Sequence, residues 1–456
     1  MQGYGSKLPM EIKALIAEKR WKALAGPQME WPEVRLVAPE LVEILLSLEK
    51  KDRVMLFRAL PREVATEVFS HLEGQTRDAL LLELTDRETR HLLTELSPDD
   101  RTSLLGELPG HVTQRLLNLL SADDLEEARH LLGYPEESVG RLMTPDYLAV
   151  RPEWTVAQAL QHIRKRGRES ETVDMIYVVD VGWRLIDDIP LRRLVLADPQ
   201  DKVEDLRDYV FASLKATEDR EEAVRRMQRY DRHVLPVVNK EGVLLGIITA
   251  DDVLDVAEDE VTEDFHLIGA VVPLKTSYWE AGKWILYRSR IVWLAALVVV
   301  NLISSGVIAA YEETLTAFVA LAFFIPLIID TGGNAGAQSA TLMIRSISVG
   351  DVKLDQWGRV FLKELVIGIA MGVTLGLMGL VLGIFRDSFL LGLVVLLTMV
   401  TMLIVTNLIG MILPFILTRF RLDPAIASGP LITSVADAVG LVIYFSFATW
   451  LLGLGS

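Results

Sequence analysis

The chain has 456 residues, of which 51% are hydrophobic and 24% are charged. Its 62 acidic and 46 basic residues give a net charge of −16, and this excess lies entirely before residue 284, because residues 284–456 contain nine residues of each sign. An acidic region followed by a neutral, apolar one excludes a simple soluble enzyme and indicates a membrane protein with a large water-facing part. The negative field repels nucleic acid and favours cations as partners.

The sequence also lacks the residues that several kinds of chemistry need. It contains no cysteine, which removes disulfides, thiolate metal sites and cysteine nucleophiles. The seven histidines show no metal-ligand spacing, and no Gly-x-x-x-x-Gly-Lys-Ser/Thr loop is present to hold a nucleotide for hydrolysis. We therefore expect no enzymatic activity, and transport that runs down an electrochemical gradient. Residues 1–20 contain six charged residues and no apolar run, so we expect no cleavable signal peptide.

The first water-facing region repeats a leucine at an interval of 12 residues. Several of these leucines are followed by Pro, Ser or Thr and then by acidic residues, a pattern typical of helix N-termini. After a helical extension over residues 1–34, the repeat predicts short stacked helices of about two turns, a compact α-solenoid over residues 35–138. An ordinary helix bundle is the alternative. The repeated leucines are Leu48, Leu60, Leu72, Leu84, Leu96, Leu108, Leu120 and Leu132.

From about Arg141 the pattern changes to alternating strands and helices. Residues 175–180 and 234–239 have the short apolar runs of strands, and each run is followed by a turn and a second strand. The two copies lie about 58 residues apart, which predicts an internal duplication with modules over 139–201 and 202–264. The second strands are predicted at 183–186 and 244–249, and the helices before the first strands at 156–165 and 220–230.

The apolar region contains five stretches long enough to cross a membrane, for which about 20 residues are needed. We predict an all-α domain of five spanning helices over residues 284–456, the second continued by the Gly-rich segment 331–344, where we predict a break. Basic residues lie mainly in alternate loops, which places the N-terminus in the cytoplasm and the C-terminus outside. The uncharged stretches are 291–311, 314–329, 365–385, 388–418 and, interrupted only by Asp437, 424–456.

Several motifs of the duplicated modules are typical of one domain family: Leu142-Met143-Thr144-Pro145, Leu235-Pro236-Val237-Val238 and Gly246-Ile247-Ile248-Thr249-Ala250-Asp251-Asp252-Val253. With these motifs the modules resemble a tandem pair of CBS domains. The apolar region carries the specific motif Pro326-Leu327-Ile328-Ile329-Asp330-Thr331-Gly332-Gly333-Asn334-Ala335-Gly336-Ala337-Gln338-Ser339. It also carries Asn407-Leu408-Ile409-Gly410 with Pro414, Leu422-Asp423-Pro424-Ala425 and Ser434-Val435-Ala436-Asp437-Ala438-Val439-Gly440. With these motifs, the order of all regions over residues 35–456 is similar to the MgtE family of magnesium channels.

The resemblance implies a multi-domain membrane protein with a helical N domain, a CBS pair, a connecting plug helix over residues 265–283 and a five-helix pore domain. It implies a homodimer in the inner membrane that takes up Mg²⁺ passively and closes when cytoplasmic Mg²⁺ binds. Three alternatives stay open. The chain could conduct Co²⁺, Ni²⁺ or Mn²⁺ as well, it could be a cation or nucleotide sensor that conducts nothing, or it could be an anion channel, which the lack of Arg or Lys in the pore opposes.

Asp437 is the one charged residue among the last 33, and a carboxylate at that depth costs about 2.5–3.5 kcal/mol. A cation pathway would offset this cost; a hydrogen bond to a neighbouring helix is the alternative. The resemblance implies that Asp437 forms the ion site together with backbone oxygens near Gly332, Gly333, Asn334 and Thr433. For Gly332, Gly333 and Gly336, close helix packing is the alternative, and Gly332 and Gly336 have the small-xxx-small spacing for it. Asp330 could line the cavity or reach the interface.

The segment 251–264 contains eight carboxylates and no basic residue. Such a run is either a solvated face or a place where cations relieve repulsion. The resemblance favours cations, and implies a set of regulatory Mg²⁺ ligands. These are Glu67, Asp99, Asp219, Glu221, Asp231, Asp252, Asp255, Glu260, Glu263, Asp264 and Asp423.

Adenine nucleotides are a further ligand known in CBS domains, and two departures argue against ATP here. The second module carries the Thr-x-x-Asp pattern, Thr249-Ala250-Asp251-Asp252, whose acid reaches ribose hydroxyls, but the first module reads Pro190-Leu191-Arg192-Arg193. The first module also reads Asp187-Asp188 where the family usually has a glycine. We expect Mg²⁺ to be a regulatory ligand, and ATP stays open as a second one against which these departures argue.

Overall fold

The computed structural model describes residues 8–26, 29–72, 74–274, 278–279, 281–420 and 422–453. The chain divides into two compact units, Met1–Glu258 and Asp259–Ser456. The first unit contains the helical region and the α/β modules, and the second contains the apolar helices.

The first unit begins with short helices, as the leucine repeat predicts. Each helix packs against the next but one along the chain, α3 on α5, α4 on α6, α5 on α7 and α8 on α10, which is the stacking of a solenoid rather than of a bundle. The helices are α1 Met10–Ala17, α2 Trp21–Leu24, α3 Val34–Ser47, α4 Lys50–Ala59, α5 Arg62–Ser70, α6 Gly74–Glu83, α7 Asp86–Glu95, α8 Pro98–Glu107, α9 Gly110–Leu117 and α10 Ala122–Leu132.

The repeated leucines lie where one helix ends and the next begins. Leu60, Leu96 and Leu108 follow the last turn of their helices in extended backbone conformation, and their side chains are buried in the continuous core of this region. The polar residue after a leucine often caps the next helix; Thr85, for example, accepts a hydrogen bond from the backbone N–H of Glu88. Three of these helices, α7, α8 and α10, begin with such a cap, and five of the eight repeated leucines are buried.

The two α/β modules have the same topology, which confirms the duplication. In each three-stranded sheet the first pair of strands is parallel and the second pair antiparallel, with an irregularity near the end of the middle strand. The first module comprises α11 Val139–Leu142, β1 Ala149–Val150, α12 Val156–Arg166, β2 Met175–Val179, β3 Leu185–Pro190 and α13 Leu191–Leu196. The second comprises β4 Leu214–Lys215, α14 Glu221–Tyr230, β5 Val234–Val238, β6 Leu244–Thr249 and the start of α15 Ala250–Ile268.

The predicted connecting helix over residues 265–283 is wrong in its position. Helix α15 starts in the second module, contains the whole acidic segment and ends at Ile268, because Ala270 takes a left-handed backbone with φ 53° and the Val271 N–H returns to the His266 carbonyl. The described residues between 269 and 282 are not helical, and residues 275–277 and 280 lie outside the described part of the chain.

The second unit contains five helices that are long and apolar enough to cross a membrane, as predicted. Helix α18 is central, since it packs against both α20 and α21, while α19 packs mainly on α20 and α16 on α21. The helices of this unit are α16 Lys283–Ala310, the short α17 Glu312–Ala317, α18 Ile325–Ser348, α19 Trp357–Arg386, α20 Phe389–Arg419 and α21 Gly429–Leu452.

The predicted break in the Gly-rich segment is also wrong, because α18 runs unbroken through it. The irregularity comes earlier, in a 3₁₀ segment at Val319–Phe324. The glycines instead permit close helix contacts: a Cβ on Gly332 would lie 2.7 Å from the Met402 side chain of α20, and a Cβ on Gly333 would lie 3.0 Å from Thr433 of α21. The small-residue packing that the sequence left as an alternative is what the structure shows.

Glycines also bring α19 and α20 together. Gly368, Gly372, Gly376 and Gly383 recur on one buried face of α19, and each faces backbone atoms of α20. A Cβ on Gly372 would lie 2.8 Å from the Cα of Val400. The backbones approach so closely that a larger side chain has no space.

Replacing Gly372 with Leu should therefore lower the free energy of unfolding by about 1–3 kcal/mol, the usual cost of overpacking. The measurement is the melting temperature of the purified chain in detergent. The matched control is Gly306→Leu in α16, where an added Cβ meets no atom within 4 Å, and it should melt like the unsubstituted chain. Equal melting temperatures for the two variants would contradict the close approach of α19 and α20.

Candidate functional site

Helix α18 carries a polar stripe along one exposed face. Its members are spaced by four, four, three and four residues, so they follow one side of the helix. Their side chains are exposed in this protomer, and polar or charged groups facing lipid are costly. This face must therefore be covered by water or by another protein surface. The α18 polar stripe consists of Asp330, Asn334, Gln338, Thr341 and Arg345.

Asp437 lies on α21 beside this stripe. The carboxylates of Asp437 and Asp330 are close enough to repel each other, and Thr433, one turn before Asp437, packs against Gly333 of α18. Asp437 is partly buried, and it makes no hydrogen bond or ion pair within the described part of the chain. The alternative of a hydrogen bond to a neighbouring helix is thus not observed, and the two helices present two carboxylates at one surface.

The predicted pore residues do not all reach this surface. Asp437, Thr433 and Gly333 come together, and Asn334 lies on the polar stripe. Gly332 instead faces Met402 inside the helix packing. Because α18 is continuous, the carbonyls of Gly332, Gly333 and Asn334 belong to the helix's own hydrogen bonds. The ligands available on α18 are therefore side-chain oxygens, not the backbone oxygens of a broken helix.

A further membrane carboxylate, Glu364 on α19, was not singled out from the sequence. It is buried, and its Oε2 accepts hydrogen bonds from Ser339 Oγ of α18 at 3.1 Å and from Asn407 Nδ2 of α20 at 3.2 Å. The bonds connect three helices and satisfy the carboxylate without a cation. Its place directly before an uncharged stretch of 21 residues, 365–385, is the signal that could have found it.

In the first unit, an acidic cluster forms where the solenoid meets the second α/β module. Burial raises the pKa of Asp99 to about 6, with the neighbouring Asp100 adding to the shift. Burial and then the charge of Asp99 raise the pKa of Asp252 to about 8. Oδ1 of Asp99 is buried and accepts no hydrogen bond from the described residues. The folded protein therefore holds these carboxylates together under mutual repulsion.

Three residues of this cluster were predicted, and others were missed. Burial raises the pKa of Asp100, and the nearby charges of Glu171 and Glu67 add to the shift. The structure therefore brings Glu67 to the same place as Asp99 and Asp252. The adjacency of Asp99 and Asp100 could have identified Asp100, whereas Glu171 gave no signal in the sequence. Within the described residues, no three Asp, Glu or His side chains are arranged so that they could hold a metal ion by themselves. Any cation bound there would keep some of its water.

The remaining predicted regulatory residues lie elsewhere, and several have local roles. Asp219 Oδ1 accepts the backbone N–H of Glu221 at 2.9 Å, and Glu221 pairs with Arg225 at 2.8 Å. Asp231 follows α14 in a left-handed conformation. Asp423 Oδ1 accepts the Ala425 N–H at 2.8 Å. The other four lie along α15, at Asp255, Glu260, Glu263 and Asp264.

The structure gives a role to the intact Thr-x-x-Asp pattern of the second module and to one of the two departures, Asp187-Asp188 of the first module. In the second module, the Thr249 hydroxyl donates to Asp252 at 2.7 Å, so this acid belongs to the acidic cluster. In the first module, Asp187 is buried and accepts three backbone N–H groups at 3.0 Å, from Asp188, Asp208 and Tyr209. Asp188 is also buried, which raises its pKa to about 6, and pairs with Arg232 of the second module at 3.5 Å. These acids fasten the modules together.

The first module also contains a cavity of about 530 Å³. Trp154, Trp183, Arg151 and His162 line it. Arg151 is already engaged, because its guanidinium donates to the Asp180 carbonyl and lies 5.2 Å from the centre of the Trp183 ring. Two acids, Asp146 and Glu169, also line the cavity.

Comparison with known proteins agrees with this architecture. The divalent cation transporter model of the MgtE family matches residues 325–447, the MgtE intracellular N domain matches 37–137, and the CBS domain matches 139–199 and 186–259. The magnesium transporter MgtE of Thermus thermophilus is 43% identical over 327 residues, which are 72% of each chain. That of Bacillus subtilis is 35% identical over 320 residues, 70% of each chain.

Among solved structures, the cytosolic domain of the Mg²⁺ channel MgtE in complex with ATP aligns with a TM-score of 0.48 and 34% identity, covering 54% of this chain and 94% of that one. The sequence relatives extend across most of the chain, and the matched models cover the helical region, the α/β pair and the membrane helices in the same order. This chain belongs to the MgtE family of divalent cation transporters.

Proposed function

We propose that this protein is a Mg²⁺ channel of the inner membrane that works as a homodimer and closes when cytoplasmic Mg²⁺ binds to its acidic region. The observation that carries the proposal is the exposed α18 polar stripe beside Asp437 in a helix bundle that otherwise faces lipid. The N-terminus lies in the cytoplasm in this arrangement, as the distribution of basic residues predicts. The relatives named as magnesium transporters support the choice of ion.

A second copy of the chain would cover the polar face. A two-fold axis brings the same surface of both copies together, so two α18 stripes and two Asp437 carboxylates would face each other across one space. Water in this space would hydrate the polar groups, which removes the cost of exposing them to lipid. Mg²⁺ gives up its water reluctantly, and a wide path lined by carboxylate and amide oxygens suits an ion that stays hydrated.

The acidic cluster supplies a sensor for the same ion. At neutral pH without a cation, the raised pKa values mean that Asp252 and part of Asp99 keep a proton. Mg²⁺ would replace these protons and screen the repulsion between the solenoid and the second module. A ligand that binds one arrangement of the two regions better than another shifts the population towards it. We infer that the cation is the regulatory ligand of this cluster, which includes Asp252, the acid of the Thr-x-x-Asp pattern.

A second candidate is a channel for several divalent cations, since the matching family model describes divalent cation transporters generally. Carboxylate and amide oxygens separate Mg²⁺ from Mn²⁺, Co²⁺ and Ni²⁺ only weakly. Competition of these ions with Mg²⁺ in liposome flux would distinguish the candidates. Mg²⁺ flux that tenfold excesses of the other ions leave unchanged would favour the selective channel.

Asp437→Asn should lower Mg²⁺ flux into liposomes at least tenfold, because the variant removes the charge that attracts the ion at the polar surface of α18 and α21. The assay is the uptake of Mg²⁺ by liposomes that contain the purified chain and a Mg²⁺-sensitive dye. Asp351→Asn, an exposed acid outside the membrane helices, is the matched control and should conduct normally. Unchanged, Mg²⁺-selective flux through Asp437→Asn would refute this pore assignment.

Flux should also fall as Mg²⁺ on the cytoplasmic face rises from micromolar to about 10 mM, the weak end of affinities for oxygen ligands. The double variant Asp99→Asn, Asp252→Asn should need about tenfold more Mg²⁺ for the same closure, whereas Asp123→Asn on the exposed start of α10 should behave like the unsubstituted chain. Flux that does not depend on cytoplasmic Mg²⁺ would support the pore assignment and contradict the proposed closure by Mg²⁺. No flux under any condition would favour a non-conducting sensor.

The same cluster predicts how stability changes with pH when divalent ions are removed. The folded-state pKa of Asp252, about 8, lies above its value near 3.9 in an unfolded chain, so the folded state binds a proton more tightly. The stabilisation is complete below about pH 4 and is lost as pH rises to 8. The melting temperature in EDTA should therefore fall between pH 5.5 and pH 8, by about 3 °C or more.

Asp252→Asn cannot ionise and should show a smaller fall over this range. Added Mg²⁺ should raise the melting temperature of the unsubstituted chain more at pH 8 than at pH 5.5, because protons and Mg²⁺ compete for the cluster. The same pH dependence in both proteins, with and without Mg²⁺, would argue against a cation site at Asp99 and Asp252.

A further inference from the structure

A groove lies beside the first three turns of α16, on the outside of the membrane unit. Its volume is about 370 Å³. The side chains that line it include two cations, Lys283 and Arg290, two phenols, Tyr278 and Tyr287, and aliphatic groups that end with Leu294. This α16 groove differs chemically from both carboxylate sites, because the described side chains that line it include no acid.

The order of these residues along the helix is informative. Lys283, Tyr287, Arg290 and Leu294 are spaced by four, three and four residues and therefore share one helix face. Lys283 and Arg290 are about 10 Å apart along the helix axis. The face changes from cationic to wholly apolar within three turns, and the helix contains no charged residue from Ile291 to its end at Ala310.

Both cations are available for a ligand. Lys283 and Arg290 are exposed, and neither pairs with a carboxylate among the residues that the structure describes. Lys and Arg at a membrane boundary keep their charged ends near the headgroups while their stems lie along apolar surface. Two unpaired cations on one groove form a binding site for a phosphate group.

The aromatic residues beside the groove indicate how deep it lies in the membrane. Trp284 and Tyr287 stack with ring centres 5.3 Å apart, and both are more than half exposed. Trp and Tyr concentrate at the level of lipid headgroups, where one end of the ring is wet and the other apolar. Helix α16 is also the least buried of the five spans, with 6% of its apolar window covered by protein.

We propose that the α16 groove binds an anionic phospholipid, with its phosphate between Lys283 and Arg290 and an acyl chain along Ile291 and Leu294. A zwitterionic lipid is disfavoured because its ammonium group would lie near the two cations. A soluble phosphate compound would leave the apolar half of the groove in contact with water. The tyrosine hydroxyls can donate to the phosphate or glycerol oxygens of the same lipid.

Native mass spectrometry of the full chain in detergent tests the proposal. The probes are phosphatidylglycerol and phosphatidylcholine with identical acyl chains. We expect the first phosphatidylglycerol to bind about 30-fold more tightly than phosphatidylcholine, from two basic contacts. The double variant Lys283→Gln, Arg290→Gln should lose this preference. The double variant Lys353→Gln, Arg359→Gln removes two other exposed cations of the membrane unit and should keep it, which controls for net charge.

Three results would overturn the proposal. The first is equal binding of the two lipids, and the second is an equal loss of preference in the two double variants. The third is displacement of the bound phosphatidylglycerol by millimolar glycerol phosphate, which would assign the groove to a soluble anion. If the α16 double variant instead changes the oligomeric mass, the face is an interface between copies and not a lipid site. The single variant Arg290→Gln, with a smaller loss expected, gives the same test if the double variant cannot be purified.

Discussion

A membrane helix cannot leave charged and amide side chains facing lipid, and the arrangement of the membrane unit depends on this constraint. The α18 polar stripe occupies one face of the helix, and glycines occupy the opposite, buried faces, against α20 and α21. The glycines permit contacts so close that the rotation of α18 is determined, and with it the direction of the stripe. Asp437 joins the same surface from α21. The polar surface is therefore a consequence of how tightly the apolar faces pack.

Two carboxylates of the membrane helices differ in how the free-energy cost of a charge in the membrane is offset. Glu364 is buried and accepts hydrogen bonds from Ser339 and Asn407, so the protein itself satisfies it and gains a link between three helices. Asp437 makes no such bond in the described residues and lies near Asp330 instead. A carboxylate that the fold leaves without a donor, beside another carboxylate, is the one to which we assign the external cation in the proposed pore.

The acidic cluster of the first unit also holds carboxylates at a cost in free energy, here in the water-facing part of the chain. Folding buries Asp99 beside Asp252, and the raised pKa values express the free energy that the fold spends first on burying these carboxylates and then on holding like charges together. This energy is available to a ligand that neutralises them. The acids between the two α/β modules differ, because Asp187 is satisfied by backbone N–H groups and Asp188 by Arg232. Charge alone does not distinguish these cases; the donors around each carboxylate do.

The sequence by itself determined the order of the regions, the duplicated modules and the five spans, because these depend on local periodicity and on the length of uncharged stretches. The 12-residue leucine repeat predicted the short stacked helices for the same reason. Only the tertiary structure decided that α18 is unbroken, since a glycine pair permits both a helix break and close packing, and the partner side chains Met402 and Thr433 select between them. It alone decided which acids meet, because Glu67, Asp99 and Asp252 are far apart along the chain, and their repulsion depends on the packing of the solenoid against the second module.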